Sequence, residues 1–368
     1  MSEWQKGNLG EFINLKRGYD LPSKSRVFGE FPIISSSGIT DYHNKPKVFE
    51  GGVITGRYGT IGQVFYTDKP FHPLNTTLYV QDFKDNNKKF VYYFLKELDW
   101  EKFSDKSAVP GINRNDVHQE IVSFPPLPEQ QAIASMLSSL DVKIDLLNRQ
   151  NKTLEAMAET LFRQWFIEEA KDDWEELALK ELVKVIDNRG KTPPYQDFKT
   201  EHPIIEVNAL TNDGRLVNYS VIRKFVDDSI FQTWFRQHLE DLDILFSTVG
   251  SIGSIGMFFK NGACVAQNVI GIRAMNKISN FYLYQWLLYN QEEIRELDIG
   301  SVQPSIKVPH LLALQIRIPD KNILDKFDLV IKGFIDKLKS NQEQIQTLEN
   351  LRDTLLPKLM SGEIRVQH

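Results

Sequence analysis

The run Ile133-Ala-Ser-Met-Leu137-Ser-Ser-Leu140-Asp-Val-Lys-Ile144-Asp-Leu-Leu147 places an aliphatic side chain at alternating steps of four and three residues. The rhythm continues through Asn151, Leu154, Ala158, Leu161 and Trp165. A second run keeps the same steps: Phe327, Ile331, Phe334, Leu338, Asn341, Ile345, Leu348, Arg352, Leu355 and Leu359. Such a stripe is a heptad seam, and each segment sustains it for about five heptads. Pro128 suits the first turn of a helix, and Glu129 complements the positive end of its dipole. Gly362, after Ser361, can take a left-handed cap that ends the second helix. A helix of ~38 residues is roughly 57 Å long, and its apolar stripe must be covered. The two stripes match each other, which predicts an antiparallel coiled coil in which Asn151 meets Asn341 and each buried amide satisfies the other. The competing expectation is that each helix packs only on its own globule.

Outside the helices the chain repeats itself. At an offset of 194, Gly56, Gly59 and Gly62 fall on Gly250, Gly253 and Gly256, and Pro110, Ile112 and Pro125 fall on Pro304, Ile306 and Pro319. Thr153-Leu154-Glu155 falls on Thr347-Leu348-Glu349 at the same offset. Nearer the start the offset is about 172, with Arg17-Gly18 on Arg189-Gly190, so the second copy carries some 22 extra residues. An insertion of that size predicts a surface loop. Short apolar runs bounded by turn residues predict strands at Gly52–Thr55, Val64–Tyr66, Thr77–Val80 and Ile121–Phe124. Ile244–Ser247, Val269–Arg273 and Leu314–Arg317 read likewise, and Phe90–Leu98 and Phe281–Asn290 read as helices. The fold class is therefore α+β: two strand-rich globules, 1–126 and 169–320, joined by long helices at 127–168 and 321–362 in an internal pseudo-twofold repeat.

Composition narrows the function. The net charge is −5, but acid concentrates in Glu129–Glu181, with twelve acids against six bases, while Met1–Phe124 is balanced at fifteen against sixteen. The globules can therefore present local basic patches, so a site-specific DNA reader stays open while a histone-like coat does not. No run of eighteen apolar residues occurs, the first ten residues lack a secretory core, and Cys264 is alone. A cytoplasmic protein is the expectation.

A search for catalysts finds none. Arg189-Gly190-Lys191-Thr192 ends like a phosphate-binding loop, but Val185 stands where its first glycine belongs, and Pro193-Pro194 prevents a helix from starting. The glycine series has three-residue spacing and lacks the dinucleotide fingerprint. The seven histidines show no metal spacing, and no Gly-x-Ser-x-Gly elbow occurs. Pro125-Pro126 lacks the preceding polar residue with which amino-methyltransferases hold a flipped base. Neither catalytic nor metal-binding residues are expected.

The segment Phe124-Pro-Pro-Leu-Pro-Glu-Gln-Gln131, leading into the first long helix, and Leu355-Leu-Pro-Lys-Leu-Met-Ser-Gly-Glu-Ile-Arg365 are distinctive. With the duplicated globule-helix order, they make the whole chain resemble the specificity subunit of type I restriction–modification systems. One departure is that the second helix opens with Pro319-Asp-Lys-Asn322, without Glu-Gln. The resemblance implies that each globule is a target recognition domain and each helix a spacer, reading a bipartite double-stranded DNA site. It implies as partners two modification (methyltransferase) subunits, joined by restriction subunits. The methyl group would go from S-adenosylmethionine, bound by those partners and not by this chain, to adenine N6 of a flipped base. Two rivals remain at this point: a stand-alone sequence-specific DNA-binding protein, and a coiled-coil interaction scaffold that never touches DNA.

Candidate DNA contacts in the first globule are Arg17, Arg57, Tyr58, Thr60, Asn75, Asn113 and Arg114. In the second they are Arg189, Lys191, Ser251, Ser254, Asn268, Gln303, Ser305 and Lys307. Arginine and lysine pair guanine O6/N7, asparagine and glutamine pair adenine N6/N7, and hydroxyls hold phosphate. With the glycines superposed, Arg57 corresponds to Ser251, Tyr58 to Ile252 and Gln63 to Met257, so equal scaffolds would carry unlike tips.

Overall fold

The computed structural model describes residues 3–104, 111–210, 216–259, 262–300 and 303–366. Pro110, one landmark of the repeat, lies outside them. The chain divides into two compact units: residues up to 146 together with those from 344 onward, and residues 147–343. Both divisions fall inside a long helix, since Leu127–Arg163 and Lys321–Met360 are each continuous. A π turn at Gln164–Glu168 extends the first helix, and Gly362 ends the second at φ +75°.

Among the described residues each unit holds three sheets, and the two sets correspond strand for strand. In the first unit a four-stranded antiparallel sheet runs in the order Asn14–Arg17, Thr77–Asp82, Gly52–Gly56, Val64–Thr67. Its counterpart is Val183–Ile186, Val269–Ala274, Ile244–Ser247, Ile255–Met257. Three-stranded sheets follow the same rule. Phe31–Ser35 pairs antiparallel with Gly38–His43 and parallel with His72–Pro73, as His202–Ile205 does with Phe225–Val226 and Cys264–Val265. Short ribbons, Gln5–Asn8 with Ile121–Phe124 and Glu176–Ala178 with Gln315–Arg317, complete each set. One helix caps each core, Lys88–Glu97 behind the Asn87 cap and Asn280–Tyr289 behind the Ser279 cap. The α+β class, the seven strands and the two helices expected from the sequence are all present. So is the internal repeat.

Strand register corrects the superposition at the first strand and again at the glycine turns. Lys16 paired with Tyr79 matches Ile186 paired with Gly271, an offset of 170 and not 172. Thr55 pairs with Val64 as Phe246 pairs with Ile255, an offset of 191. Ile61 N–H donates to Gly59 O at 3.1 Å, and Ile252 N–H to Gly250 O at 2.9 Å. Gly59 and Gly62 sit at φ +76° and +75°, and Gly250 and Gly253 at +82° and +71°. The true counterparts are thus Gly59 with Gly250 and Gly62 with Gly253. A motif that repeats every three residues fits itself equally well one period along, and only the ladder decides. Arg57 therefore corresponds to Thr248, Tyr58 to Val249 and Gln63 to Ser254, not to Ser251, Ile252 and Met257. The 194 offset returns where Ile112 N–H donates to Arg57 O at 3.1 Å and Ile306 N–H to Thr248 O at 2.9 Å.

The insertion also differs from expectation. The hairpin between Phe31–Ser35 and Gly38–His43 turns through Ser36-Ser37, whereas residues 206–224 join the equivalent strands. Ala209, Leu210, Val217 and Ile222 of that segment are buried in a core with Phe225 and Phe258. Its described residues form a packed extension of the second unit, because their apolar side chains remove more surface from water than a solvated loop could.

Along the long helices no seam position is exposed; Leu140, Ile144, Leu147, Asn151, Leu154 and Leu161 are buried or half-buried, as are Phe334, Leu338, Asn341, Ile345, Leu348 and Leu355. The helices pair antiparallel within each unit. In the first, Arg352 Nη1 meets Asp141 Oδ1 at 3.0 Å. In the second, Phe327 packs edge-on against Phe166 at 4.8 Å between ring centres. Asn341 Nδ2 donates to Asn151 Oδ1 at 2.8 Å, the expected contact, and also to Gln150 Oε1 at 2.9 Å. The pairing is one-sided, since Asn341 Oδ1 is buried without a partner. The globules cover the helices too, because Phe162, Ile335 and Leu356, next to seam positions, are buried in the two main cores. The helix pairing is therefore as expected, and the rival in which each helix packs on its globule alone is not, because helix and globule share one core.

The two sequence signatures meet in the first unit. Glu129, 1% exposed, accepts from Arg365 Nη2 at 2.6 Å and from Trp4 Nε1 at 3.3 Å. Gln130 Nε2 donates to Asn86 Oδ1 at 2.7 Å and Pro125 O at 2.9 Å, while its Oε1 accepts from Asn87 N–H. Glu-Gln and the terminal arginine thus close one clasp, a role the second helix fills differently by pairing Asp320 with Lys171.

His118 gives this unit a pH dependence. Its Nε2 accepts the Leu15 N–H at 2.9 Å, and burial, with Arg114 and Lys84 nearby, holds its pKa below the ordinary value. The folded state keeps the ring neutral, while the unfolded chain takes up a proton below about pH 6.5. Stability is thus full above that pH and falls as the pH drops toward the depressed folded value. The urea midpoint is expected to fall on acidification through this window, and to fall less in His118→Gln.

Candidate nucleic-acid interface

In the first unit, strand Asn14–Arg17 delivers Lys16 and Arg17 to the rim of an open cleft of about 510 Å³. Arg57 follows the end of strand Gly52–Gly56. Asn113 and Arg114 begin a short helix, the Asn113 side chain accepting from Asn115 N–H at 3.1 Å. Lys16, Arg17, Arg57 and Arg114 oppose one acid, Asp20, so the cleft is basic although the chain is not. Tyr19 lines it as well. Its hydroxyl is made more acidic by the Tyr79 hydroxyl at 3.1 Å and by Lys16 and Lys47, each with Nζ 5.6 Å from the ring centre.

Arg57 is held from three sides. Its N–H donates to Thr76 O at 2.8 Å, its Nε donates to Ile112 O at 3.0 Å, and its guanidinium lies over the Tyr58 ring at 4.4 Å. Both Nη atoms remain without a hydrogen-bond partner among the described residues. A planar fork fixed at its Nε edge is prepared for a bidentate acceptor pair. Tyr58 therefore supports Arg57 from beneath. Asn75 binds the Asp20 carboxylate, which also lies 4.0 Å from Arg17. Thr60 stands apart, exposed on the glycine turn. Its carbonyl lies 1.9 Å from where a Cβ on Gly56 would sit, which is why that position is glycine.

The second unit treats its candidates differently. Arg189 is spent internally, with Nε and Nη2 on Asp187 at 2.9 and 2.7 Å and Nη1 on Thr248 Oγ1 at 3.2 Å. The guanidinium in turn pulls the Asp187 pKa down. Ser254 is 4% exposed and donates to Ser251 O at 3.0 Å, so its hydroxyl belongs to the turn; it leaves the contact set as a correction. Ser251 is exposed, and its carbonyl also accepts from Ser247 Oγ. Ser305 N–H is held by Asp298 at 2.8 Å, in the loop that carries exposed Gln303. Exposed Lys307 caps the helix Val308–Leu312, and Lys191 is exposed after the Gly190 turn. Asn268 lines a concavity of about 290 Å³.

Sequence reasoning missed Lys16, Tyr19 and Asp20 in the first unit and Asn208 and Gln267 in the second. The offsets give a usable signal after the fact. Asn75 binding Asp20 has its counterpart in Gln267 Nε2 donating to Thr192 Oγ1 at 2.8 Å, the same tie made by unlike residues. Among the described residues no helix is long and apolar enough to cross a membrane.

The sequence matches the family described as type I restriction modification DNA specificity domain twice, over residues 1–156 and 171–350. The MjaIX specificity subunit of Methanocaldococcus jannaschii is 26% identical, over 76% of this chain and 69% of its own. The MjaVIII specificity subunit of the same organism is 22% identical over 100% and 94%. A crystal structure of a type I restriction–modification S subunit from M. genitalium shares the fold, with a TM-score of 0.66 at 20% identity, covering 97% of this chain and 96% of that one. The double match accounts for the paired sheets and for the signatures that close the clasp, and on it the chain belongs to the type I restriction–modification DNA specificity family, whose part is sequence recognition and not catalysis.

Proposed function

We propose that this chain selects a bipartite site on double-stranded DNA, one half-site for each unit, and presents it to partner subunits that do the chemistry. The observation that carries this reading is the pairing of two topologically equal units with unlike side chains at equivalent positions. By the strand ladders Lys16 of the first unit stands where Ile186 stands in the second, and Arg57 where Thr248 stands. One scaffold with two sets of tips serves two different half-sites, and the basic cleft supplies phosphate attraction on one side. The partners are two methyltransferase subunits that bring S-adenosylmethionine and modify adenine N6 after base flipping, with restriction subunits joining them. The long helices act as the spacer between half-sites. Mapping N6-methyladenine across the host genome with and without this chain tests the reading. A two-part motif with a fixed gap should be methylated only when the chain is present. An identical methylation pattern in both cells would refute it.

A further inference from the structure

We propose that the second unit reads an adenine through a carboxamide pocket formed by Asn208, Gln267 and Asn268, with Gln267 as its central reader. The inference rests on the DNA-recognition reading above and assigns a base chemistry to one of its two units.

The pocket of about 290 Å³ is lined by Glu206, Val207, Asn208, Ala266, Gln267 and Asn268. Three of the six carry amides, whose adjacent acceptor and donor match adenine N6 and N7 in the major groove. The one acid is already engaged, Glu206 Oε1 lying 2.7 Å from Lys224 Nζ, so the pocket carries no free negative charge to repel phosphate. The equivalent of Arg57 is Thr248, and Arg189 is consumed by Asp187. The guanidinium of Arg57 is therefore absent at the matching position, and the groups lining this concavity are mainly amides.

Gln267 is singled out by its backbone. It sits at φ +62°, in the left-handed region that glutamine rarely adopts. Strain of that kind persists only where the surroundings enforce it, and it gathers at binding sites. Here the surroundings are visible: the strands Cys264–Val265 and Val269–Ala274 fix both ends of the turn, and Thr192 Oγ1 accepts from Gln267 Nε2 at 2.8 Å. That bond orients the amide while leaving Oε1 and the second N–H for a base edge. Asn268 is kept beside it because its carbonyl accepts from Thr248 N–H at 2.8 Å.

The test uses the complete complex in its host, with N6-methyladenine mapped genome-wide for wild type, Gln267→Gly and Asn208→Ala. Glycine relieves the left-handed backbone, so Gln267→Gly should be at least as heat-stable as wild type. Asn208 is exposed, so its truncation leaves the core intact. Each variant is expected to accept other bases at an adenine position of one half-site, discrimination falling about tenfold or more, with the other half-site unchanged. Motifs identical to wild type, or relaxed at a guanine, cytosine or thymine, would overturn the adenine assignment while leaving the recognition reading intact. A wild-type complex with no two-part motif would bring down both.

Discussion

Phe327→Ala is expected to reduce the unfolding free energy of the second unit by about 3–5 kcal/mol, the range for emptying a large aromatic site in a packed core. Phe327 is 0% exposed. Its ring meets Phe166 at 4.8 Å, Trp165 at 6.1 Å and Phe162 at 6.3 Å. All three lie on the first long helix or its π turn, so the cavity would open in the seam itself. Neither neighbouring helix can collapse into it without breaking its own ladder. Phe28→Ala serves as the control: that ring is 87% exposed, and surface substitutions stay within about 0.5 kcal/mol. Urea unfolding of both variants decides the matter. If the two midpoints coincide, the seam is not where the second unit draws its stability.

Arg57→Ala should produce the largest functional change. Loss of a bidentate base contact costs about 1–3 kcal/mol of discrimination at one position, so one base of one half-site is expected to become degenerate while the second half-site stays as it was. The existing bonds of the side chain sharpen the expectation. Because its Nε is held by Ile112 O and its plane rests on Tyr58, little entropy is left to lose when the Nη pair meets DNA. Arg57→Lys separates charge from geometry. Lysine keeps the charge but not the planar fork, so it should restore affinity and leave the position degenerate. Uniform weakening on every sequence, repaired by lysine, would identify a phosphate contact instead.

The long helices were legible because a heptad seam is a strong periodic signal, and even the Asn151–Asn341 contact followed from it. Strands such as Gly52–Gly56 and Ile244–Ser247 were legible as buried apolar runs between turn residues. The superposition of the glycine turns was not, because three-residue spacing cannot distinguish neighbouring periods and the deciding ladder is non-local. The insertion misled for a related reason: length suggests a loop, while the burial of Leu210 and Val217 depends on a core assembled from distant strands. At the site, residue type found the arginines but could not tell which were available. Arg57 and Arg189 look alike in sequence, yet Asp187, two residues away, folds back on Arg189 and occupies it. Gln267 escaped notice because its distinction lies in a backbone angle, to which composition and spacing are blind.

The first unit is assembled from residues up to 146 and from 344 onward, with Glu129 clasped by Arg365. Domains form as units while the chain is made from its N-terminal end. During synthesis this one must wait, its apolar helix face uncovered, while the entire second unit is made and emerges. The half of the protein that the ribosome starts first is therefore the half that finishes last, and a chain cut short before its last helical turns would lose the reader it had already translated.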